Sequence, residues 1–480
     1  MKTLYQASPQ VDKTKIKFLE SALAKDGEHT TNDILSWLHE KNNEVQTNVT
    51  VIPLTSLKEW NMNDNDIHHK SGRFFSIEGI RINTNYGIIP SWDQPIINQP
   101  EIGFLGFITQ KRHGVLHFLM QAKIEPGNIN CVQLSPTLQA TRSNFTRVHG
   151  GKYPLYLEYF NGEKKAKTLI DQLQSEQGAR FYQKRNRNII IEVSQDETLP
   201  LYEQFIWITL GQIKELMRYP NVVNMDSRTV VSCIQYGDYT EKEFHIVELF
   251  HNKREISFAF LSSLLNKECH LNSFTDIFHW ITDKKFKYTL DVERIKLCET
   301  NNWLYDGQSL VHKDSKFFSV IGVNVCINNR EVATWDQPMI KTAQEGIIGF
   351  LVKKINGIYH FLVQAKLEAG NFDIIEIAPT VQCLTGNYRK GKNEYTIPYI
   401  EYFTEANQNN IWYSAYQSEE GGRFYHEQNL NMIVEASDDF PIEVDDNYCW
   451  MTLNQLQTFV AFNNYLNIAA RSLLAAINFA

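Results

Sequence analysis

Motifs in the first half of the chain recur in the second half at a constant displacement of 243 residues. Trp37 matches Trp280, and Trp60 matches Trp303. The same displacement relates Trp92-Asp93-Gln94-Pro95 to Trp335-Asp336-Gln337-Pro338, Arg180-Phe181-Tyr182 to Arg423-Phe424-Tyr425, and Arg228 to Arg471. The two copies align without a gap from about Asp33 to Arg228. Because self-similarity at a fixed period indicates duplication, we expect two copies of one unit.

The duplication predicts the domain organisation. We expect a first unit over residues 1–240 and a second over 241–480, with a linker over 236–273. The linker contains an apolar helical stretch at 258–265 and no segment rich in Pro, Gly or Ser. Since boundaries between independent domains usually fall in such flexible segments, we expect the two units to pack against each other.

The composition narrows the functional classes. The net charge of −8 does not favour nucleic acid or an anionic membrane as a partner. No stretch approaches the roughly 18 apolar residues of a membrane helix, and the N-terminus lacks an apolar signal core. Seven scattered cysteines without a CxxC pair suit a reducing cytoplasm better than a disulfide framework or a zinc site.

Helix and strand signals are mixed without strict alternation, which predicts an α+β (mixed α/β) fold. Each unit opens with a short amphipathic helix, which Thr30-x-x-Asp33 and Ser273-x-x-Asp276 are expected to cap. A further helix is expected from about Thr209 to Met217. Strands are expected at 74–80, 103–109, 115–125, 156–160, 188–193 and 399–403.

The strand at 115–125 is the most informative segment. Alternation places His117, Leu119, Gln121, Lys123 and Glu125 on one face and apolar residues on the other, which we expect to be core. The second copy repeats the polar series, with His360, Gln364, Lys366 and Glu368. This face is either a solvated strand surface or the wall of a site that contains an acid, a base, an amide and a cation.

Longer motifs identify a family. They are WDQP (92–95 and 335–338), HFLMQAKIEPGN (117–128), QLSPTLQATRSNFTRVHGGK (133–152), QSEQGARFYQKRNRN (174–188), QSEEGGRFY (417–425) and VNMDSRTV (223–230). In these motifs, in their order and in the duplication, the chain resembles the NDP-hexose 2,3-dehydratases of deoxysugar biosynthesis. The second copy departs from the pattern at Ala369, where the first has Pro126, and at 427–430, which makes its binding role doubtful.

The resemblance implies a substrate, a reaction and a fold. The substrate would be a dTDP-linked 4-keto-6-deoxyhexose, losing water across C2 and C3 to give a 3,4-diketo-2,6-dideoxy sugar. Each copy would be a Nudix-like unit, and the protein would be a cytoplasmic homodimer. The net change is redox-neutral, so no cofactor or metal is expected, and no GxGxxG follows a strand.

The reaction requires a base at C3, an acid for the C2 hydroxyl and a partner for the enolate oxygen. Catalytic candidates are His117, Gln121, Lys123, Glu125 and Tyr159. Two simpler readings stay open: His117 could be a hydrogen-bonded wall residue, and Glu125 could form an ion pair with Lys123 or Arg180.

Substrate-binding candidates come from the aromatic, polar and cationic residues of the motifs. Arginine forks suit phosphate oxygens, and Trp92 could stack on thymine or the sugar. The set is Trp92, Gln94, Gln139, Thr141, Arg142, Asn144, Arg147, His149, Gln174, Glu176, Arg180, Lys184 and Arg187. The second-copy site would be Trp335, His360, Gln364, Lys366, Glu368, Gln382, Arg389, Glu419 and Arg423.

The first unit is expected to hold the productive site. It has Lys184, Arg185 and Arg187 where the second has Glu427, Gln428 and Leu430. Two alternatives remain at this point. One is a Nudix-type hydrolase, although no REx₂EE pattern occurs; the other is a catalytically inactive protein that binds nucleotide sugars.

Overall fold

The computed structural model describes residues 13–141, 153–237, 255–328, 333–384 and 397–480. In these ranges the chain forms helices and several β-sheets, which confirms the predicted α+β class. Nowhere in the described ranges is a helix long and apolar enough to cross a bilayer.

The helices are short and are named in chain order. They are Lys13–Ala22 (α1), Thr31–Asn43 (α2), Leu157–Phe160 (α3), Leu210–Leu216 (α4), Met225–Ser232 (α5), Glu255–Leu265 (α6), Phe274–Lys287 (α7), Glu401–Thr404 (α8), Leu453–Val460 (α9) and Ile468–Ala475 (α10). The predicted capping boxes of α2 and α7 form as expected. In each, the hydroxyl of Thr30 or Ser273 accepts from the backbone N–H three residues on, and the Asp carboxylate accepts from the cap backbone.

The strands of the first unit run from residue 47 to residue 209. They are Thr47–Ile52 (β1), Trp60–Met62 (β2), Asp66–His69 (β3), Ser76–Thr84 (β4), Ser91–Asn98 (β5), Phe104–Arg112 (β6), Val115–Ile124 (β7), Val132–Ser135 (β8), Leu138–Ala140 (β9), Lys167–Ser175 (β10), Arg185–Glu192 (β11) and Phe205–Thr209 (β12).

The second unit repeats this series of strands. They are Leu290–Ile295 (β13), Trp303–Tyr305 (β14), Leu310–His312 (β15), Phe318–Ile327 (β16), Thr334–Thr342 (β17), Gly346–Ile355 (β18), Ile358–Lys366 (β19), Glu376–Pro379 (β20), Val381–Leu384 (β21), Ile411–Ser418 (β22), Gln428–Glu435 (β23) and Tyr448–Thr452 (β24).

Each unit builds one seven-stranded sheet. In the first unit the order is β10–β11–β6–β7–β12, with β8 on β7 and β9 on β6. β11 and β6 are parallel, whereas the other pairs of this sheet are antiparallel. The second unit repeats the arrangement as β22–β23–β18–β19–β24, with β20 on β19 and β21 on β18.

The two smaller sheets exchange strands between the units. β13 of the second unit pairs with β4 of the first, with Leu290 opposite Thr84. β1 of the first unit pairs with β16 of the second, with Thr47 opposite Ile327. Each five-stranded sheet therefore contains a strand from both copies, and the units pack against each other as expected.

Two buried arginines lock the copies together where the exchanged segments meet. Arg228 on α5 donates through Nη2 to the carbonyl of Ser418 at 2.5 Å and through Nε to Ser472 at 2.7 Å. Its counterpart Arg471 on α10 donates to the carbonyl of Ser175. Since each guanidinium holds the backbone of the opposite copy, the segments after β10 and β22 are fixed across the interface between the units.

The strand at 115–125 forms as β7, but its predicted polar face is wrong over most of its length. Phe118 packs in the largest apolar core, and Leu119 packs on the other side with Trp207. Both faces of the central sheet are therefore covered. The polar series opens to a cleft only at the C-terminal end of the strand, at Lys123 and Glu125.

Two other predicted strands are wrong. Residues 156–160 and 399–403 contain the short helices α3 and α8 instead. Tyr156 takes a left-handed conformation with φ of 65°, which turns the chain and buries Leu157 and Phe160 against the sheet. A short apolar run does not distinguish a buried strand from a buried helical turn, so packing decided this segment.

Candidate active site

A cleft of about 770 Å³ lies at the junction of the two units, and we call it the first cleft. Its volume is in the range of small-molecule sites in proteins. The charged side chains that line it are Glu59, Lys123, Glu125, Glu176, Lys184 and Asp226 of the first unit and Asp336, Glu420 and Arg423 of the second. The aromatic residues that line it are Trp60, His69, Phe74, Phe75 and Phe181 of the first unit and Trp335 of the second.

Hydrogen bonds orient Glu125 at the end of β7. Gln139 on the neighbouring β9 donates from Nε2 to Glu125 Oε1 at 2.8 Å. Asn224, the N-cap of α5, donates to Gln139 Oε1 at 3.1 Å. Gln139, expected to bind substrate, therefore also positions the Glu125 carboxylate.

A second pair of carboxyl and amide groups stands opposite. Glu176 follows β10 and accepts from Asn186 Nδ2 at 2.8 Å. Burial raises the pKa of Glu176, while Arg471 and Lys184 oppose the rise. Lys184 is itself 5% exposed and donates to the carbonyl of Glu101, and burial lowers its pKa.

The aromatic residues form a connected group. The Trp60 ring lies 5.4 Å from His69 and 5.0 Å from Phe75, centroid to centroid. The guanidinium of Arg423 lies 4.1 Å from the centroid of Phe75, and its Nε donates to Gln99 Oε1 at 3.2 Å. A cation held over an aromatic surface can receive a phosphate on one side and a planar ring on the other.

Several residues predicted for the first-unit site line the first cleft. These are Lys123, Glu125, Gln139, Thr141, Glu176 and Lys184. Trp335 and Arg423, expected in the second-copy site, line it as well. Trp335 and Arg423 thus reach the site of the opposite copy, whereas Glu176, which lies in the same motif as Arg180, lines the cleft of its own copy.

Three residues predicted for the first-unit site lie away from the first cleft. Arg180 lies near Glu427, Glu368 and Glu419 and stacks over Phe318 at 4.2 Å. Trp92 packs beside Ala369, and its Nε1 donates to Gln94, which donates to the carbonyl of Ala179. Trp92, Gln94 and Arg180 therefore do not line the first cleft.

The residues around Arg180 form what we call the second cluster. It contains Arg180 of the first unit and Lys366, Glu368, Gln382, Glu419 and Glu427 of the second. Gln382 donates to Glu368 at 3.0 Å, as Gln139 does to Glu125. Gln364 instead donates to the carbonyls of Pro379 and Thr380.

Both strand histidines lie outside these sites. His117 is 1% exposed, and its Nδ1 lies 3.0 Å from the carbonyl of Val115, beside Gly27. Eight residues of extended chain separate it from Glu125, roughly 26 Å. His360 accepts from the backbone N–H of Leu271 at 2.9 Å, and burial lowers its pKa to about 4. This geometry matches the wall-residue reading.

Other predicted residues also lie elsewhere. Tyr159 is buried on α3 and donates to Glu197 at 2.9 Å. Gln174 donates to the carbonyl of Val460 in the interface between the units. Arg187 forms a two-pronged ion pair with Asp171. Gln121 does not line the first cleft. Arg142, Asn144, Arg147, His149 and Arg389 lie outside the described residues.

Sequence reasoning missed four acids of the cleft, Glu59, Asp226, Asp336 and Glu420. Asp226 and Glu420 lie inside motifs quoted above, and the signal for them was a difference between the copies. Asp226 corresponds to Ala469, and Glu420 corresponds to Gln177. Within the described residues, no group of three or more His, Cys, Asp or Glu side chains is arranged to hold a metal ion.

Comparison with known proteins gives a family match that spans both copies. The protein family described as NDP-hexose 2,3-dehydratase matches residues 31–234 and again residues 274–477. The two matches are displaced by the 243 residues that relate the two copies. The chain is similar to a dTDP-4-dehydro-6-deoxy-alpha-D-glucopyranose 2,3-dehydratase of Saccharopolyspora spinosa, 42% identical over 475 residues, covering 98% of this chain and 96% of that protein.

Two further relatives carry the same description. The one from Amycolatopsis orientalis is 38% identical over 466 residues, 95% of this chain and 92% of that protein. The one from Streptomyces violaceoruber is 38% identical over 447 residues, 92% of this chain and 96% of that protein.

Proposed function

The chain belongs to the NDP-hexose 2,3-dehydratase family, and from that premise we propose that its substrate is dTDP-4-keto-6-deoxyglucose and that the first cleft is its productive site. Membership confirms the prediction of a carbon–oxygen lyase that acts on a sugar nucleotide. The relatives' printed names support the choice of dTDP-4-keto-6-deoxyglucose.

One observation supports the first cleft as the productive site. The cleft brings two carboxyl groups at strand ends, Glu125 and Glu176, together with Lys123 and Arg423 beside a group of aromatic rings. Removal of the C3 proton needs a base, and the charge that develops on the C4 oxygen needs a cation or a hydrogen-bond donor. A carboxyl group of the cleft can exchange a proton, and Lys123 can stabilise the enolate oxygen.

Binding of the nucleotide has a separate requirement. A pyrophosphate presents anionic oxygens, and Lys184 and Arg423 supply cations in the cleft. Trp335 and the rings around Trp60 offer apolar faces for thymine. We assign these residues to the nucleotide and the carboxyl groups to the sugar.

Several finer features rest on the family resemblance and belong to the same proposal. They are a Nudix-like fold for each copy, a homodimer, and domain limits at 1–240 and 241–480 with a linker over 236–273. A cytoplasmic location is supported by the seven free cysteines.

The test is incubation of the purified chain with dTDP-4-keto-6-deoxyglucose that carries heavy oxygen at C2. We expect a product lighter by one labelled water without added nicotinamide or metal, because the reaction is redox-neutral. Mass spectrometry of the nucleotide sugar measures the loss. Intact substrate together with tight binding would support the inactive-binder alternative, and cleavage of the pyrophosphate would support a Nudix-type hydrolase.

A further inference from the structure

The duplication supplies an internal control for the first cleft, since the second cluster has the same scaffold. Residues that orient groups are the same in both: Glu125 and Glu368, Gln139 and Gln382, Glu176 and Glu419, Asn224 and Asn467, and Arg423 and Arg180. Four charged positions of the cleft differ, and one of them is Glu59, which corresponds to Asn302. Asp226, Glu420 and Lys184 correspond to Ala469, Gln177 and Glu427.

Asp226 lies in the first turn of α5, two residues after the N-cap Asn224. It is 4% exposed and lines the first cleft. Since Asn224 also holds Gln139, which holds Glu125, one end of α5 positions two of the carboxyl groups of the cleft.

Glu420 reaches the cleft from the second unit, two residues after the end of β22. Arg228 on α5 holds the backbone that leads to it, donating to the carbonyl of Ser418 at 2.5 Å and to Gln417 Oε1 at 3.2 Å. Thus the helix that carries Asp226 also fixes the segment that carries Glu420, although the two acids belong to different copies.

The groups around Asp226 and Glu420 carry charges of both signs. Glu125 and Glu176 add negative charge, and Lys123, Lys184 and Arg423 add positive charge. Burial, with Glu125, Glu420 and Glu176 adding to it, raises the pKa of Asp226 well above its ordinary value. Burial also raises the pKa of Glu420 to about 7, with Arg423 opposing the rise. Carboxyl groups that interact in this way do not all ionise together.

We propose that Asp226 and Glu420 are the acid and the base of the dehydration, and that their replacement by Ala469 and Gln177 removes this chemistry from the second cluster. The inference rests on the proposed function. Each group touches the reacting atoms in this proposal, whereas Gln139 and Arg228 act by positioning.

The protons balance over one turnover. Ionised Glu420 takes the C3 proton, and the C3–H electron pair forms a C3=C4 double bond, with negative charge on the C4 oxygen. The C4 carbonyl then re-forms, a C2=C3 double bond forms and the C2–O bond breaks. Protonated Asp226 gives its proton to the departing hydroxide, so that water leaves.

The enol that remains resets both groups. Asp226, now ionised, takes the proton of the C3 hydroxyl, and protonated Glu420 delivers its proton to C2. The product is the 3,4-diketo sugar, and the enzyme returns to its starting protonation state without an outside reactant.

The experiment follows two events in D₂O, exchange of the C3 proton by NMR and loss of water by mass spectrometry. The variants are Asp226→Asn, Asp226→Ala and Glu420→Gln, because Ala and Gln occupy the matching positions of the other copy. Glu427→Gln in the second cluster is the matched control. Thermal melting verifies that each variant folds.

We expect the wild type and Glu427→Gln to lose water at similar rates. Both events should fall by about 10² or more in Glu420→Gln, the usual weight of one acid–base group. Asp226→Asn should lose water at least as slowly while it still exchanges the C3 proton. Asp226→Ala should likewise lose elimination with little change in KM.

The inference is overturned if folded Asp226→Asn and Glu420→Gln both lose water within about threefold of the wild type, well short of what an acid–base group contributes. It is also overturned if Asp226→Asn loses exchange while Glu420→Gln retains it. Failure of the wild type to lose water would instead refute the proposed function, so the two failures are distinguishable.

Discussion

A comparison of the first cleft with the second cluster shows which residues are the same in both copies and which differ. Both keep a glutamine that orients a strand-end glutamate, and both keep an asparagine that donates to the glutamate after the following strand. The copies differ in charge at four positions of the first cleft, which are 59, 184, 226 and 420. The groups that shape the site are thus retained in both copies, while Asp226 and Glu420 have no counterpart acid in the second cluster.

The position of Lys184 and Glu427 sharpens this contrast. Glu427 is 8% exposed, and burial raises its pKa to about 8, with Glu419 adding to the rise and Arg180 opposing it. At neutral pH it is therefore largely uncharged. With Arg180 and Lys366, the second cluster has one cation fewer than the first cleft, and for that reason it would bind a pyrophosphate more weakly.

The largest expected effect compares Glu125→Gln with Glu368→Gln. The change in the first cleft should lower kcat by about 10² or more, because it removes the negative charge that helps keep the Asp226 carboxyl protonated while it keeps the shape of the side chain. The change in the second cluster should leave kcat nearly unaltered. Steady-state kinetics of the two variants measure the difference. A greater loss of kcat in Glu368→Gln would show that the second cluster, and not the first cleft, is the productive site.

The next prediction compares the two matching arginines, Arg423 and Arg180. Arg423→Gln should raise KM by about tenfold to a hundredfold, since a hydrogen bond to a charged group contributes roughly 1.5–3 kcal/mol. Arg180→Gln should change KM little, because Arg180 lies in the second cluster. Substrate titrations give both values. A large effect of Arg180→Gln alone would contradict the crossed assignment.

A third comparison concerns stability. Lys214 on α4 is 2% exposed, donates to the carbonyl of Ala475 and lies beside the Phe479 ring, and burial lowers its pKa to about 7. The matching residue of the second copy is Gln457, which donates to the carbonyls of Ser232 and Ile234. Between that pKa and the ordinary value of 10.5, the unfolded chain holds a proton that the folded chain lacks. The free energy of unfolding therefore rises with pH in this window.

Lys214→Gln should remove this dependence. We expect a melting temperature a few degrees above wild type at about pH 6, with an advantage that shrinks towards about pH 10. Differential scanning calorimetry across the range measures it. An advantage that grows with pH would show that Lys214 is charged and stabilising in the folded state.

The smallest effect is expected for His117→Gln. Its ring lies against Val115 and Gly27, away from the first cleft, so kcat should change less than about threefold while stability falls by about 1 kcal/mol, the usual contribution of one hydrogen bond. His360→Gln, which loses the bond from Leu271, is the matched variant. A hundredfold fall in kcat for His117→Gln alone would restore its predicted catalytic role.

Local signals in the sequence predicted much of the structure. The capping pairs at Thr30 and Ser273 and the helix after Thr209 depend on neighbouring residues, and all of them form. The segments at 156–160 and 399–403 failed because their conformation depends on packing against a sheet that local pattern does not describe.

The candidate site divides in the same way. Lys123, Glu125 and Glu176 could be selected from their motifs, and the structure brings them together. Asp226 and Glu420 could have been found from the differences between the copies, because the matching positions hold Ala469 and Gln177. His117 was selected from strand alternation, but alternation does not reveal that both faces of β7 are covered.

The duplication, the α+β class and the family could be predicted from the sequence, because each depends on the order of residues along the chain. Which segments share a site depends instead on how the chain folds. The constant displacement pairs Arg180 with Arg423 but does not say which copy each one serves. That choice follows from packing between the units: Arg423 contacts Phe75 and Gln99 of the first unit, and Arg180 contacts Phe318 of the second. Contacts between residues distant in sequence, rather than local pattern, therefore build the first cleft.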